Sequence, residues 1–201
     1  MTRKVLFIDQ GRCIGCQACV AACRECDSHK GRSMIHLDYV DAGNSTAAMP
    51  TVCMHCSDPV APCAQVCPVD AIPIDADGIV GTAAAELCIG CGNCVHACPF
   101  GVPKIDVAEA LQYKCDLCYD RSSQGLTPMC ASVCPTDALF FGTEEELLAK
   151  RPGAQAEDVF GFGEQLIKTG NAVITPAGRS EDYIPGGYSV WEEFITGPKG
   201  E

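Results

Sequence analysis

Apolar residues along this chain are gathered in short runs rather than in long periodic stretches. Val5-Leu6-Phe7-Ile8 is a run of four. Between Gly31 and Pro50, Ile35, Leu37 and Tyr39 alternate with other residues, which predicts an edge strand and a loop. The alanine-rich stretch Ala18 to Ala22 predicts the start of a helix. Cys67-Pro68, Cys98-Pro99 and Cys134-Pro135 each lead into β-branched or aromatic residues, and Val69–Ile72, Phe100–Val102 and Thr136–Leu139 are expected as short strands. Thr143, three glutamates and Leu147-Leu148 predict a helix N-terminus with acids in its first turn. From Arg151 onward glycine, proline and polar residues are frequent, so an irregular tail is expected there, wrapping the surface or a partner. No run approaches the ~18 apolar residues of a membrane span.

Composition changes the picture in one respect above all: seventeen of 201 residues are cysteine. The hydrophobic share of 47% counts them, so the apolar core is thin and bound metal is expected to help hold the fold. The net charge is −12 and no Lys/Arg block occurs, which argues against nucleic acid as a partner. The first residues, Met1 to Asp9, are basic at the start, but their apolar run is too short for a signal peptide and no twin-arginine pair follows. A cytoplasmic origin is expected, where thiols stay reduced and serve metals.

Sixteen of the cysteines fall in four groups: Cys13, Cys16, Cys19 and Cys23; Cys53, Cys56, Cys63 and Cys67; Cys88, Cys91, Cys94 and Cys98; Cys115, Cys118, Cys130 and Cys134. Each group opens with C-x2-C and closes with C-x3-C, and groups one and three share the string Cys-Ile-Gly-Cys, so one small loop, helix and strand unit is repeated. A cubane needs four thiolates, three of them from one tight loop. In bacterial ferredoxins the run is C-x2-C-x2-C-x3-C-P, with its last cysteine on the other cluster. Group three matches that run fully, and group one departs only at Arg24. Groups two and four stretch one gap, to six residues before Cys63 and eleven before Cys130, at a modest closure cost.

Other chemistries fit less well. Zinc ribbons do not need the third cysteine at Cys19 and Cys94. A disulfide framework needs an oxidised compartment and leaves an odd cysteine. Cys19, Cys23 and Cys26 imitate a radical-SAM spacing, but two of them already serve the ferredoxin run. No C-x-x-C-H exists for haem attachment. Cys26 is left over and is read as a buried or half-buried free thiol. His29, His36, His55 and His96 are not needed as ligands, although His55 and His96 sit inside cysteine loops where a hydrogen bond to sulfur would tune a potential. Trp191 and the late aromatics are read as anchors or core.

Cys53-Met54-His55-Cys56 with Pro62-Cys63 and Cys67-Pro68, together with Lys114-Cys115-Asp116-Leu117-Cys118, resemble the four-cluster iron–sulfur B subunits of the dimethyl sulfoxide reductase family of molybdopterin oxidoreductases. The resemblance covers residues 3 to 142. It implies an α+β fold of two nested bacterial-ferredoxin-like modules, each of two 4Fe–4S sites, with loop insertions and an irregular C-terminal tail. Residues 1–50 and 104–142 would form the outer module, 51–103 the inner one, and 143–201 a helix and partner-binding tail. It further implies four 4Fe–4S clusters, with iron held by Cys13, Cys16, Cys19 and Cys134; by Cys53, Cys56, Cys63 and Cys98; by Cys88, Cys91, Cys94 and Cys67; and by Cys115, Cys118, Cys130 and Cys23. Spacing alone does not show this nesting and leaves sequential pairing of groups one with two and three with four open. The respiratory nitrate reductase branch replaces one cysteine by tryptophan, whereas every motif position here is cysteine, so four cubanes are expected.

The implied role is a non-catalytic electron-transfer subunit. Its partners would be a larger molybdenum or tungsten pterin subunit and a second electron donor or acceptor, with no nucleic acid. The same four-cluster module in a hydrogenase or other multi-subunit oxidoreductase, or a free polyferredoxin, is the alternative. Any membrane link is expected through another subunit, and export, if it occurs, folded with a signal-bearing partner.

Overall fold

The structure is a computed structural model that describes residues 3–41 and 46–175. In chain order its strands are β1 (Val5–Ile8), β2 (His36–Asp41), β3 (Thr46–Thr51), β4 (Cys56–Asp58), β5 (Lys104–Asp106), β6 (Leu111–Tyr113), β7 (Leu139–Gly142), β8 (Gln155–Phe162) and β9 (Gln165–Thr175). Its helices are α1 (Ala18–Arg24), α2 (Pro62–Gln65), α3 (Asn93–Ala97), α4 (Tyr119–Ser122), α5 (Met129–Ser132) and α6 (Glu144–Lys150). The helices are one or two turns long, too short to be stable alone, and depend on the packing around the cysteines.

The main sheet runs β4-β9-β1-β7, and β8 pairs with β9. The apolar run Val5–Ile8 lies inside this sheet, parallel to β9 and antiparallel to β7, so Leu6, Phe7 and Ile8 are buried on both faces. The strand that leads into the first cysteine group therefore pairs with the strand that leaves the fourth. β2 and β3 pair antiparallel as a separate two-stranded sheet, with Pro50 opposite Leu37. Proline is tolerated there because such a strand has a free edge. β5 and β6 form a third small sheet.

Helix packing follows the cysteine groups. α1 of group one packs on α5 of group four, and α2 of group two packs on α3 of group three. The largest buried cluster contains Cys19, Cys23, Cys53, Cys115 and Cys130 beside Leu6, Ile35, Val52 and Leu139. A second gathers Cys63 and Cys94 with Ala61, Ala71, Ile72, Val80 and Ala83. Cysteines thus stand where a larger protein would put leucines, as the thin apolar composition requires.

Four local expectations are corrected. Residues 151–175 are not an irregular tail. After α6, β8 and β9 form a hairpin, and β9 enters the sheet beside β1 and β4. The polar residues that hid this strand, Thr169 and Asn171, are buried and hydrogen-bonded rather than solvated. Second, residues 69–72 form no strand; Ala71 and Ile72 enter the second core instead, and an isolated bridge follows between Ile74 and Val80. Third, the strand expected at 100–102 begins later, at Lys104. Fourth, the strand expected at 136–139 begins only at Leu139, as β7. The helix expected after Thr143 holds: α6 starts with a capping box in which Thr143 Oγ1 accepts from Glu146 N and Glu146 Oε2 from Thr143 N. No helix among the described residues is long and apolar enough to cross a membrane. Trp191 and the tail beyond 175 lie outside the described residues.

Candidate metal centres

All four cysteine groups share one turn. The third residue of each C-x2-C has a left-handed backbone: Gly15 at φ 68°, His55 at 50°, Gly90 at 64° and Leu117 at 60°. At Gly90 a side chain would also stand 2.8 Å from the Ala110 carbonyl, so glycine is required there twice over. The turn folds the chain back on its cysteines, and amides of the group-four turn and of the segments that follow groups one and two point at sulfur. Leu117 N donates to Cys115 Sγ at 3.4 Å, Ala71 N to Cys67 Sγ at 3.3 Å and Met34 N to Cys23 Sγ at 3.2 Å.

The cysteines meet in sets of four that cross between groups. Cys13, Cys16 and Cys19 line one cavity with Cys134. Cys53, Cys56 and Cys63 line a second with Cys98. Cys88, Cys91 and Cys94 line a third with Cys67. The empty volumes are alike, about 300, 340 and 320 Å³. The four cysteines of the remaining set, Cys23, Cys115, Cys118 and Cys130, are all buried. Cys130 is pushed well above the ordinary thiol range by burial first, then by Cys115, Cys23 and Cys19. Cys118 is pushed up by burial and by Cys130, Cys115 and Cys26.

Crowding of this kind recurs. Burial and then Cys53, Cys98 and Cys63 push Cys56 up to about 12; burial, Cys53 and Asp116 push Cys115 up to about 12. Cys19 is raised to about 11 by burial and by Cys13, Cys134 and Cys16. Four thiolates in one apolar wall repel each other, and a cationic iron–sulfur core relieves that repulsion by binding all four. Sets of four soft sulfur donors, with amides directed at sulfur, fit such a core.

Two positive centres attend the interior sets. Burial of Cys53 favours its neutral thiol, but His55 and Lys114 outweigh this and bring it down to about 6. His29, which the spacing did not single out, is buried. Its Nδ1–H donates to the Cys23 carbonyl at 2.8 Å, with Cys23 Sγ at 3.3 Å, and its Nε2–H donates to Asp116 Oδ1 at 2.9 Å. Both ring nitrogens donate, so the ring is cationic. Burial disfavours that charge, but Asp116 and Cys23 outweigh it and raise His29 to about 11. His29 thus ties the last cysteine of group one to the loop of group four. No sequence signal marks this pair, because its members are 87 positions apart. Of the two histidines read as tuning candidates, His55 is buried beside Cys53, whereas His96 is exposed on α3.

Cys26 is a buried free thiol, 3.4 Å from Ser28 Oγ. It stands closer to the fourth set than its place outside the motifs suggested: the ligand atoms of Cys26, His29 and Cys118 all lie within 4.8 Å of one another. β9 supplies a further support that the sequence did not reveal. Asn171 Nδ2 donates to the Cys53 carbonyl at 2.8 Å, and Asn171 Oδ1 accepts from Leu6 N at 3.0 Å. Gly170 N donates to the Met54 and His55 carbonyls, and a side chain at 170 would come within 3.1 Å of His55 O. The group-two loop is therefore clamped by the C-terminal strand.

Comparison with known proteins agrees with this geometry. The 4Fe-4S dicluster domain family matches residues 45–144, and a 4Fe-4S binding domain family matches residues 4–25. The chain is 40% identical over 161 residues to the thiosulfate reductase electron transfer subunit PhsB of Salmonella typhi, covering 76% of this chain and 82% of that one. It is 37% identical over 163 residues to the formate dehydrogenase-O iron-sulfur subunit of Escherichia coli (strain K12), covering 70% of this chain but only 53% of that one, so it spans about half that relative's length. It is also 35% identical over 189 residues to the ferredoxin-like protein YdhX of Escherichia coli (strain K12), covering 84% of each. On these likenesses and the crossing sets of cysteines, the chain belongs to the iron–sulfur electron-transfer subunits of the dimethyl sulfoxide reductase family.

Proposed function

We propose that the chain is a four-cluster electron wire between a molybdenum or tungsten pterin catalytic subunit and a second redox partner. The observation that carries this reading is the gathering of sixteen cysteines into four sets of four. In this reading Cys13, Cys16, Cys19 and Cys134 hold one 4Fe–4S cluster, and Cys115, Cys118, Cys130 and Cys23 its module partner. Cys53, Cys56, Cys63 and Cys98 hold the third, with Cys88, Cys91, Cys94 and Cys67 the fourth. Groups two and three are nested between groups one and four, a reading supported by the packing of α1 on α5 and of α2 on α3.

The sets also suggest an order. Cys19 is near enough to Cys130 to raise its pKa, Cys53 near enough to Cys115, and Cys94 near enough to Cys63. The wire then runs from the Cys13 set through the Cys115 set and the Cys53 set to the Cys88 set. Its two ends carry the exposed Cys16 and Cys91, each in a loop with an exposed isoleucine, Ile14 and Ile89. Exposed apolar residues beside an end cluster suit docking of a partner. The clusters, when bound, supply one-electron chemistry; the polypeptide fixes their spacing, excludes water and sets local charge. Thiosulfate reductase and formate dehydrogenase subunits among the relatives make a larger catalytic subunit the natural partner. We place the chain in the cytoplasm, or exported folded beside a signal-bearing partner.

Anaerobic affinity purification from the native host tests this. It should recover a larger subunit together with molybdenum or tungsten. Recovery of a lone monomer would replace the wire by a free polyferredoxin.

A further inference from the structure

Lys114 is 1% exposed, one of the largest fully buried side chains of the described residues. An ammonium carries three N–H groups and no acceptor. Around Nζ stand three acceptors: the Val80 carbonyl, the Cys115 carbonyl at 3.2 Å and Cys53 Sγ at 3.4 Å. The surroundings therefore match the charged form donor for acceptor. A buried cation is costly unless an anion offsets it, and of these three acceptors the sulfur is the one able to carry a full negative charge.

His55 brings an independent observation. Its ring is 1% exposed, and Nδ1 accepts the Val80 amide at 3.1 Å. The proton of the neutral ring is thereby fixed on Nε2. Nε2 is buried and has no hydrogen-bond partner among the described residues. A buried donor that meets no acceptor at hydrogen-bond geometry is left facing its neighbour, the Cys53 sulfur, whose charged form it favours. One residue, Val80, thus orients both groups: its carbonyl holds Lys114 and its amide holds His55.

We propose that Lys114 and His55 are a positioned donor pair that raises the reduction potential of the cluster at Cys53. This rests on the cluster assignment made above. Reduction adds one electron and one negative charge to the cluster, with no bond broken and no proton taken up. A fixed ammonium and an N–H dipole at one corner favour that added charge, and burial keeps water from screening it. Lys114 carries the larger share because it carries a full charge. Its second contact, to the Cys115 carbonyl, sets it between the two interior cysteine sets, at the middle of the proposed wire.

The test is a redox titration, followed by electron paramagnetic resonance, of the full chain purified anaerobically, with iron and sulfide counted on each sample. In Lys114→Met one cluster should become at least tenfold harder to reduce, a fall of 59 mV for a one-electron couple, while the others titrate as before and iron is retained. His55→Asn keeps an oxygen acceptor for the Val80 amide and tolerates the left-handed backbone, but loses the Nε2 donor. It should lower the same midpoint by a smaller step. His55→Gln, which returns an N–H near that place, should recover part of it. Iron retained in Lys114→Met with no midpoint lowered overturns the proposal. If Lys114→Met loses iron, His55→Asn decides: an unchanged midpoint overturns the proposal and a lowered one supports it. Wild-type protein with fewer than four clusters would instead refute the cluster assignment, so the two failures are separable.

Discussion

Groups one and three keep the compact ferredoxin spacing, and their second cysteines, Cys16 and Cys91, are exposed. Groups two and four stretch it, and the equivalent Cys56 is half-buried and Cys118 buried. The compact loops sit at the periphery, where sulfur meets solvent and little else need attend it. The stretched loops sit inside, where their own His55 and Asp116 act with residues recruited from elsewhere in the chain, Lys114 and Asn171 at group two and His29 at group four. Burial explains the difference. A thiolate set removed from water must find its compensating charge and donors within the protein.

The largest effect expected from breaking this contrast comes from removing the clamp on group two. Deleting residues 155–201 takes away β8 and β9, bares the edge of β1 and frees the Cys53 carbonyl. Iron content per chain and solubility should both fall sharply. Deleting only 176–201 should leave iron intact and weaken the partner complex. A 155–201 deletion that stays soluble with full iron would show the interior loops to be as self-sufficient as the peripheral ones.

Next comes ligation at group four. Cys118→Ser should lose or convert one cluster, seen as a changed resonance signal and less iron. Cys26→Ser should keep all signals, although its thiol lies among the ligand atoms of His29 and Cys118. Loss of a cluster in Cys26→Ser would move Cys26 into the ligand set.

A smaller effect is expected at the brace between groups one and four. His29→Gln leaves Asp116 facing an uncharged partner. Breaking a buried ion pair costs about 3 kcal/mol, so the anaerobic melting temperature should drop clearly with iron still bound. A melt unchanged in His29→Gln would show that the interior loops do not rely on such partners. The smallest effect serves as the control. Thr143→Ala removes a cap remote from every cysteine set and should cost about 1 kcal/mol with no change in any cluster signal.

The four cysteine groups were legible because their spacing is rigid, a turn with a left-handed third residue and a short helix leaving few sequences free, whereas the crossing of each group's last cysteine came only from the family resemblance. The capping box at Thr143 was legible for the same reason, being local. β9 was not, since Thr169, Gly170 and Asn171 read as loop residues until their partners, Asp158, Met54 and Cys53, are known. Nor was His29, whose charge is set by Asp116, far along the chain. Local chemistry can be read from the sequence, whereas polar groups whose burial is offset across the fold come to light only in three dimensions.

The central claim is that the sixteen motif cysteines serve four cubanes. Iron and acid-labile sulfide, counted per chain on anaerobically purified protein, test it most directly. The account predicts about sixteen of each, as four cubanes held by four thiolates apiece require. A reproducible value near half of that, or zinc in place of iron, would contradict it.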